Sequence, residues 1–163
     1  METNVSPIRN VLFCACLLIG YASGTHGQAQ AAETAVMPDP THIPFVLPKD
    51  IKWKIDTNFG EEEAPLFGDV SKPGVYGMLI RWKPGQFSTP HFHSTDRYIY
   101  VVSGTWWVSS SEHHDPETTY PLPAGSFATD LQNKIHWDGA KKETVILLLV
   151  GMGPATTEKV HEK

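Results

Sequence analysis

Two histidines two residues apart, His91 and His93, stand in a stretch bounded by Gly85 and Gly104. In an extended strand, alternate side chains leave on one face, so both imidazoles point the same way. Pro90 marks the entry to that strand, and Tyr98 to Val102 continues it with aromatic and β-branched residues. Two imidazoles so placed form a pincer for a divalent transition metal, and a third ligand must then come from elsewhere. The sequence offers His136. His113 and His114 are adjacent and lie in a polar segment, Ser109 to Thr119, which reads as an exposed excursion. His42 and His161 fall near the ends of the chain and take no role.

The elements that must position these residues are short strands. The 163 residues suffice for one domain with a buried core. A net charge of -5 supplies no basic field, which argues against a nucleic-acid partner. Thirteen prolines, thirteen glycines and five tryptophans suit many turns rather than a helix bundle. Strand candidates run over 51–55, 65–68, 75–82, 91–102, 104–110, 120–129 (with a turn inside it) and 144–150, with a further strand entered at 134–137. The segment after Gly104 is expected to pair back on the histidine strand as a hairpin. Gly60 to Pro65 reads as an acidic, solvated loop, and Asp138-Gly139 as a tight turn. The continuous apolar run from Thr144 to Val150 reads as a fully buried strand. No helical periodicity of useful length and no internal repeat is present. Such a series of strands predicts an all-β sandwich or barrel.

The N-terminus has a different character. Arg9 precedes an apolar run, Val11 to Gly20, too short to span a bilayer, and Ala29-Gln30-Ala31 fits a cleavage site. Residues 1–31 are therefore expected to be a signal peptide, the mature chain starting near Ala32 in the periplasm or outside the cell, without a membrane span. Cys14 and Cys16 are the only cysteines, so the mature chain has none and any metal must be held by nitrogen and oxygen. Residues 32–50 carry Pro38, Pro40, Pro44 and Pro48 and read as an extended leader. The barrel is expected over 51–155, with a charged tail at 156–163.

Gly85, His91, His93 and Gly104 together resemble the first motif of the cupin superfamily, and Pro123-Ala124-Gly125 with His136 resembles a stretched second motif. Within the superfamily, the run Gly68-Asp69, Lys72-Pro73-Gly74, His91 to His93, Val102 to Trp106 and Pro123 to Phe127 is similar to a group of small bacterial cupins. The resemblance covers about residues 65–155. It implies a double-stranded β-helix, or jelly-roll barrel, and favours His136 as third ligand, because Trp137 to Gly139 and an apolar strand follow it as they follow the superfamily's second-motif histidine.

The motif departs at one position: the superfamily's glutamate ligand is Arg97 here, and a guanidinium cannot ligate a metal. Three readings stay open. His91, His93 and His136 hold the metal with water; Asp96 reaches in through a bulge, or supports the ligands from behind; or the metal is lost and Arg97 holds an anion. A cation beside the metal calls for an anion, either a carboxylate such as Asp96, Asp130 or Asp138, or a ligand. Trp106 and Trp107 must face opposite ways, so one of them lines the cavity. Arg97, Trp106 and Tyr98 are the candidate substrate contacts. The expected cofactor is Fe, Mn, Ni or Zn, or none. The leading expectation is a metal-dependent cupin, of oxygenase, isomerase or lyase type if an enzyme, taking a small and anionic molecule. Against it stand a non-catalytic small-ligand-binding cupin and a structural protein with a vestigial pocket. A homodimer is an open possibility.

Overall fold

The structure is a computed structural model that describes residues 36–160. The expected signal peptide, 1–31, and the last three residues of the tail lie outside the described residues. The chain divides into a unit ending at Pro44 and a unit from Phe45 onwards. In the first, Asp39 caps a turn by accepting the Thr41 amide at 2.8 Å. Pro48–Asp50 then forms one 3-10 turn.

Eleven strands follow in the second unit: β1 Lys54–Ile55, β2 Glu62–Phe67, β3 Gly74–Trp82, β4 His91–His93, β5 Arg97–Ser103, β6 Thr105–Ser109, β7 Tyr120–Pro123, β8 Phe127–Asp130, β9 Trp137–Gly139, β10 Val145–Gly153 and β11 Thr157–Lys159. They form a six-stranded sheet in the order β1-β2-β3-β10-β5-β8, a three-stranded sheet β7-β6-β9 and a pair β11-β4, every pairing antiparallel.

The core lies between the sheets, and strand periodicity builds it. Along β3, Tyr76, Met78, Ile80 and Trp82 turn inward; along β5, Ile99 and Val101; along β10, Val145, Leu147 and Leu149. The alternation on β10 corrects the expectation of a fully buried strand, because its other face is only half covered. β10 lies between β3 and β5, with Leu147 opposite both Ile80 and Val101. Burying each such side chain contributes about 1.5–3 kcal/mol.

Two local expectations fail for steric reasons. The chain does not fold back from β5 into a hairpin with β6. It crosses to the other sheet at Gly104, whose φ of +76° and close approach to the Thr144 carbonyl leave no room for a Cβ. Nor is Asp138-Gly139 a turn. Both residues lie in β9, and Gly139 is there because a Cβ would stand 2.1 Å from the Gln86 carbonyl on the neighbouring segment.

Candidate metal centre

β4 is only three residues long, yet it turns both His91 and His93 into the interior, 4% and 2% exposed. β11, within the stretch read as tail, flanks it on one side with Thr157 opposite His93. On the other side stands His136. The amide of His91 donates to the His136 carbonyl and that of His136 to the His91 carbonyl, both at 2.9 Å. This rung brings together residues 45 positions apart. The ten residues between Gly125 and His136 are accounted for by β8 and a turn at 131–134. Asn133, at φ 57°, donates its amide to the His93 carbonyl, and Gln132 donates its side-chain amide to the Ser94 carbonyl.

The three imidazoles converge. Their ring centroids are 4.5–5.0 Å apart, and one ligand nitrogen from each lies within 4.8 Å of the others. Each ring is held by its Nδ1: His91 against the Thr89 carbonyl at 2.8 Å, His93 against the Thr157 hydroxyl at 2.9 Å, and His136 against the Lys134 carbonyl at 3.0 Å. An Nδ1–H donated to a carbonyl leaves Nε2 as a lone pair, and buried Nε2 atoms of His93 and His136 have no hydrogen-bond partner. Burial above all, with repulsion from His136, pushes His91 down to about 4; burial with the Arg97 charge pushes His93 down further. Both rings are therefore neutral near pH 7, the state that a metal needs. Burial acts against the cation at His136 too, but the Asp130 carboxylate outweighs it and raises that pKa.

Arg97 lies on the inward face of β5 and meets an anion from the protein itself: its Nη2 donates to Asp130 Oδ2 at 2.8 Å, and the same oxygen is 3.3 Å from His136 Nε2. Burial would raise the Asp130 pKa, but His136 and Arg97 hold it well below the carboxylate range. Of the three carboxylates weighed for Arg97, Asp130 is its partner. Asp96 is neither a ligand nor a cavity residue. It sits in the turn between β4 and β5 and accepts the Gln132 amide at 2.7 Å, so it steadies the loop before His136. Tyr98 is also misplaced by the sequence reading. It follows Arg97, so strand alternation turns it outward, where it is 47% exposed and stacked on Phe127.

Trp106 is the inward member of its pair, 2% exposed, while Trp107 faces out under the Lys141 ammonium. The polar excursion is partly packed: His114 lies 4.5 Å from the Trp137 ring, and Trp137 donates its indole N–H to the Ser111 carbonyl.

His91 and His93 line a cavity of about 50 Å³ that holds a group of residues the sequence reading missed. The β1–β2 hairpin folds over it, bringing Asp56, Glu61 and Glu63 to its lining and setting Phe59 4.7 Å from the His91 ring. The acidic run is thus not a solvated loop. Glu61 and Glu63 share the inward face, while Glu62 turns outward to pair with Arg81 at 2.7 Å. The period-two spacing of Glu61 and Glu63 was the available signal. A second chamber of about 400 Å³ lies beyond Trp106, Asp130 and His136 and is walled by Val108, Leu122 and Ala128.

Comparison with known proteins bears on the fold. No protein-family model matches the sequence, and no curated protein matches it. Solved structures do. The polyketide cyclase RemF from Streptomyces resistomycificus superposes with a TM-score of 0.60 at 19% identity, over 73% of this chain and 86% of that one. An RmlC-like cupin from Shewanella frigidimarina gives 0.52 at 17%, over 67% and 89%. A Klebsiella pneumoniae protein with a double-stranded β-helix domain gives 0.52 at 17%, over 66% and 90%. This is the cupin fold. In this barrel the three inward imidazoles with their outer nitrogens engaged are a set that could hold a divalent transition metal.

Proposed function

We propose that this cupin binds one divalent transition metal through His91, His93 and His136 and uses it on a small organic molecule. The observation that carries the reading is the shared posture of the three rings, each Nδ1 held by the protein and each ligand nitrogen turned to the same point. Fe(II), Mn(II), Ni(II) and Zn(II) all suit imidazole donors. A metal bound there supplies Lewis acidity, polarising a substrate oxygen or acidifying a water. Asp130 neutralises Arg97, so Arg97 serves the ligand shell rather than clamping a substrate anion.

Size assigns the two cavities. The inner one, at about 50 Å³, has room for roughly three to five water-sized groups and none for an organic molecule. The outer chamber is of ligand size and has no lysine or arginine in its lining. Its apolar wall, with Ser109, Thr118 and Tyr120 among the polar groups, suits a molecule of modest polarity rather than the anion first expected. RemF, an enzyme by name, supports the view that the scaffold can host catalysis, and at 19% identity it carries no substrate across.

A second reading, a metal-free binding module, draws on the chain Arg97–Asp130–His136, which satisfies part of the site without an ion. Elemental analysis of tag-free protein separates the two. The metal reading expects close to one transition metal per chain, lost in His91→Ala, His93→Ala and His136→Ala and retained in His113→Ala. Retention of the full metal content by His136→Ala, or none in the parent after incubation with Zn(II) or Fe(II), would overturn it.

A further inference from the structure

The inner cavity is unusually rich in carboxylates. Five carboxylates line it, those of Asp56, Glu61, Glu63, Asp130 and Asp138, against the single guanidinium of Arg97. Three of the carboxylates, on Asp56, Glu61 and Glu63, offer oxygens within 4.8 Å of one another, and none of the three has a salt bridge to a lysine or arginine among the described residues.

The burial of Glu61 shows that this is a built site rather than an acidic surface. Glu61 is 7% exposed and its Oε2 has no hydrogen-bond partner. Asp138, on β9 rather than on the hairpin, is 5% exposed and lines the same cavity, where the Trp106 indole N–H faces its carboxylate. Burying a carboxylate oxygen without a partner costs free energy that an ordinary solvated loop would avoid. A cation held by Glu61 removes that cost.

We propose that Asp56, Glu61 and Glu63 form a second, oxygen-donor cation site in the cavity that His91 and His93 line, selective for a hard divalent ion such as Mn²⁺ or Mg²⁺. The donor sets sort the ions. Three imidazoles favour the borderline metals, whereas three carboxylates with cavity water favour hard ones. Burial above all, with repulsion from Asp56, Asp138 and Glu63, pushes the Glu61 carboxyl up to about 8, as a buried charge without a counter-ion must be. The site stands on its own residues and does not depend on the imidazole reading.

The test uses the mature-length protein, stripped with chelator, given one equivalent of Zn²⁺ and then titrated with Mn²⁺, free Mn²⁺ being followed by electron paramagnetic resonance. The proposal expects one Mn²⁺ per chain in the presence of Zn²⁺. Glu61→Gln and the double variant Glu61→Gln/Glu63→Gln weaken that binding by at least about 100-fold while Zn²⁺ stays bound, because a ligand rather than its support has been removed. Glu61→Gln replaces a protonated carboxyl with a neutral amide of the same shape, so its fold is retained, and an unchanged thermal transition near pH 7 checks that. His136→Ala provides the separation from the other reading: it loses Zn²⁺ and keeps the carboxylate Mn²⁺. No Mn²⁺ bound beside Zn²⁺, or Mn²⁺ affinity unchanged in both glutamate variants, overturns the second site. A parent protein that binds Mn²⁺ but no Zn²⁺ overturns only the imidazole reading.

Discussion

Glu61 is the side chain on which the pH behaviour of the metal-free protein turns. Its folded pKa of about 8 lies above the unfolded value near 4.5, so the folded state holds a proton that the unfolded chain has released. Stability contributed by that proton is present at low pH and is lost as pH rises from about 4.5 to about 8. His91 and His93 work in the opposite sense, their folded pKa values being depressed, but their effect is complete above about 6.5. Asp138, raised to about 6, has also finished titrating there. The stripped protein should therefore lose several degrees of Tm between pH 6.5 and 8. His136, raised by Asp130, adds to the loss, and Asp56, Glu63 and Asp138 are the charges facing Glu61. Thermal scans with chelator should show the slope flattened in Glu61→Gln; a parent whose Tm is constant from pH 6.5 to 8 contradicts the assignment. At Asp130 the expected effect is larger. Asp130→Asn strips Arg97, 17% exposed, of its counter-charge and should cost about 3 kcal/mol in urea denaturation, in line with breaking one side of a buried pair. A loss below about 1 kcal/mol would mean that the pair behaves like a surface one.

Among the elements, β10 holds the core and β11 holds the site. Leu147→Ala empties a position packed between Ile80 and Val101 and should cost about 2–5 kcal/mol. Tyr98→Ala, on the outer face of β5, should cost under about 1 kcal/mol in the same urea experiment, since no cavity forms there. Thr157→Val keeps β11 in place but removes the hydroxyl that holds His93 Nδ1, and should weaken Zn²⁺ binding about tenfold with no loss of fold. Isothermal titration checks this, and unchanged affinity would show that the ring needs no such hold. These contrasts also explain what the sequence made readable. Period two put Arg97, Ile99 and Val101 on one face of β5 and made His91 and His93 a pair, so the barrel and two of the three imidazoles were legible. The partner of β11 was not, because three exposed residues after a Gly-Pro segment have no apolar pattern to register. Glu61 was misread because a charge run after Gly60 carries a solvated look, and only the closure of the hairpin over the cavity turns two of its three glutamates inward. His136 was placed by resemblance, and the loop that delivers it, with Asn133 at positive φ, has no periodic signature.

At the scale of the whole chain, residues 1–31 were read as an export signal, and we propose that the mature protein works in the periplasm or outside the cell. Sequencing of protein taken from its native cell should find an N-terminus near Ala32; intact Met1 on soluble cytosolic protein would rule export out. Because Cys14 and Cys16 leave with that segment, the mature chain should melt at the same temperature with and without reductant.

The partition between the two cavities is Trp106, whose indole lines both the inner cavity and the outer chamber. That position makes it an optical gauge with two inputs. A paramagnetic ion held by the neighbouring imidazoles should quench its emission, while a molecule entering the chamber should shift the emission by displacing water from the opposite face of the ring. Trp106→Phe isolates its share from that of Trp137, which is buried against Phe87 instead. Metal loading and ligand entry can thus be followed separately in solution, on the unlabelled protein, before any substrate has been identified.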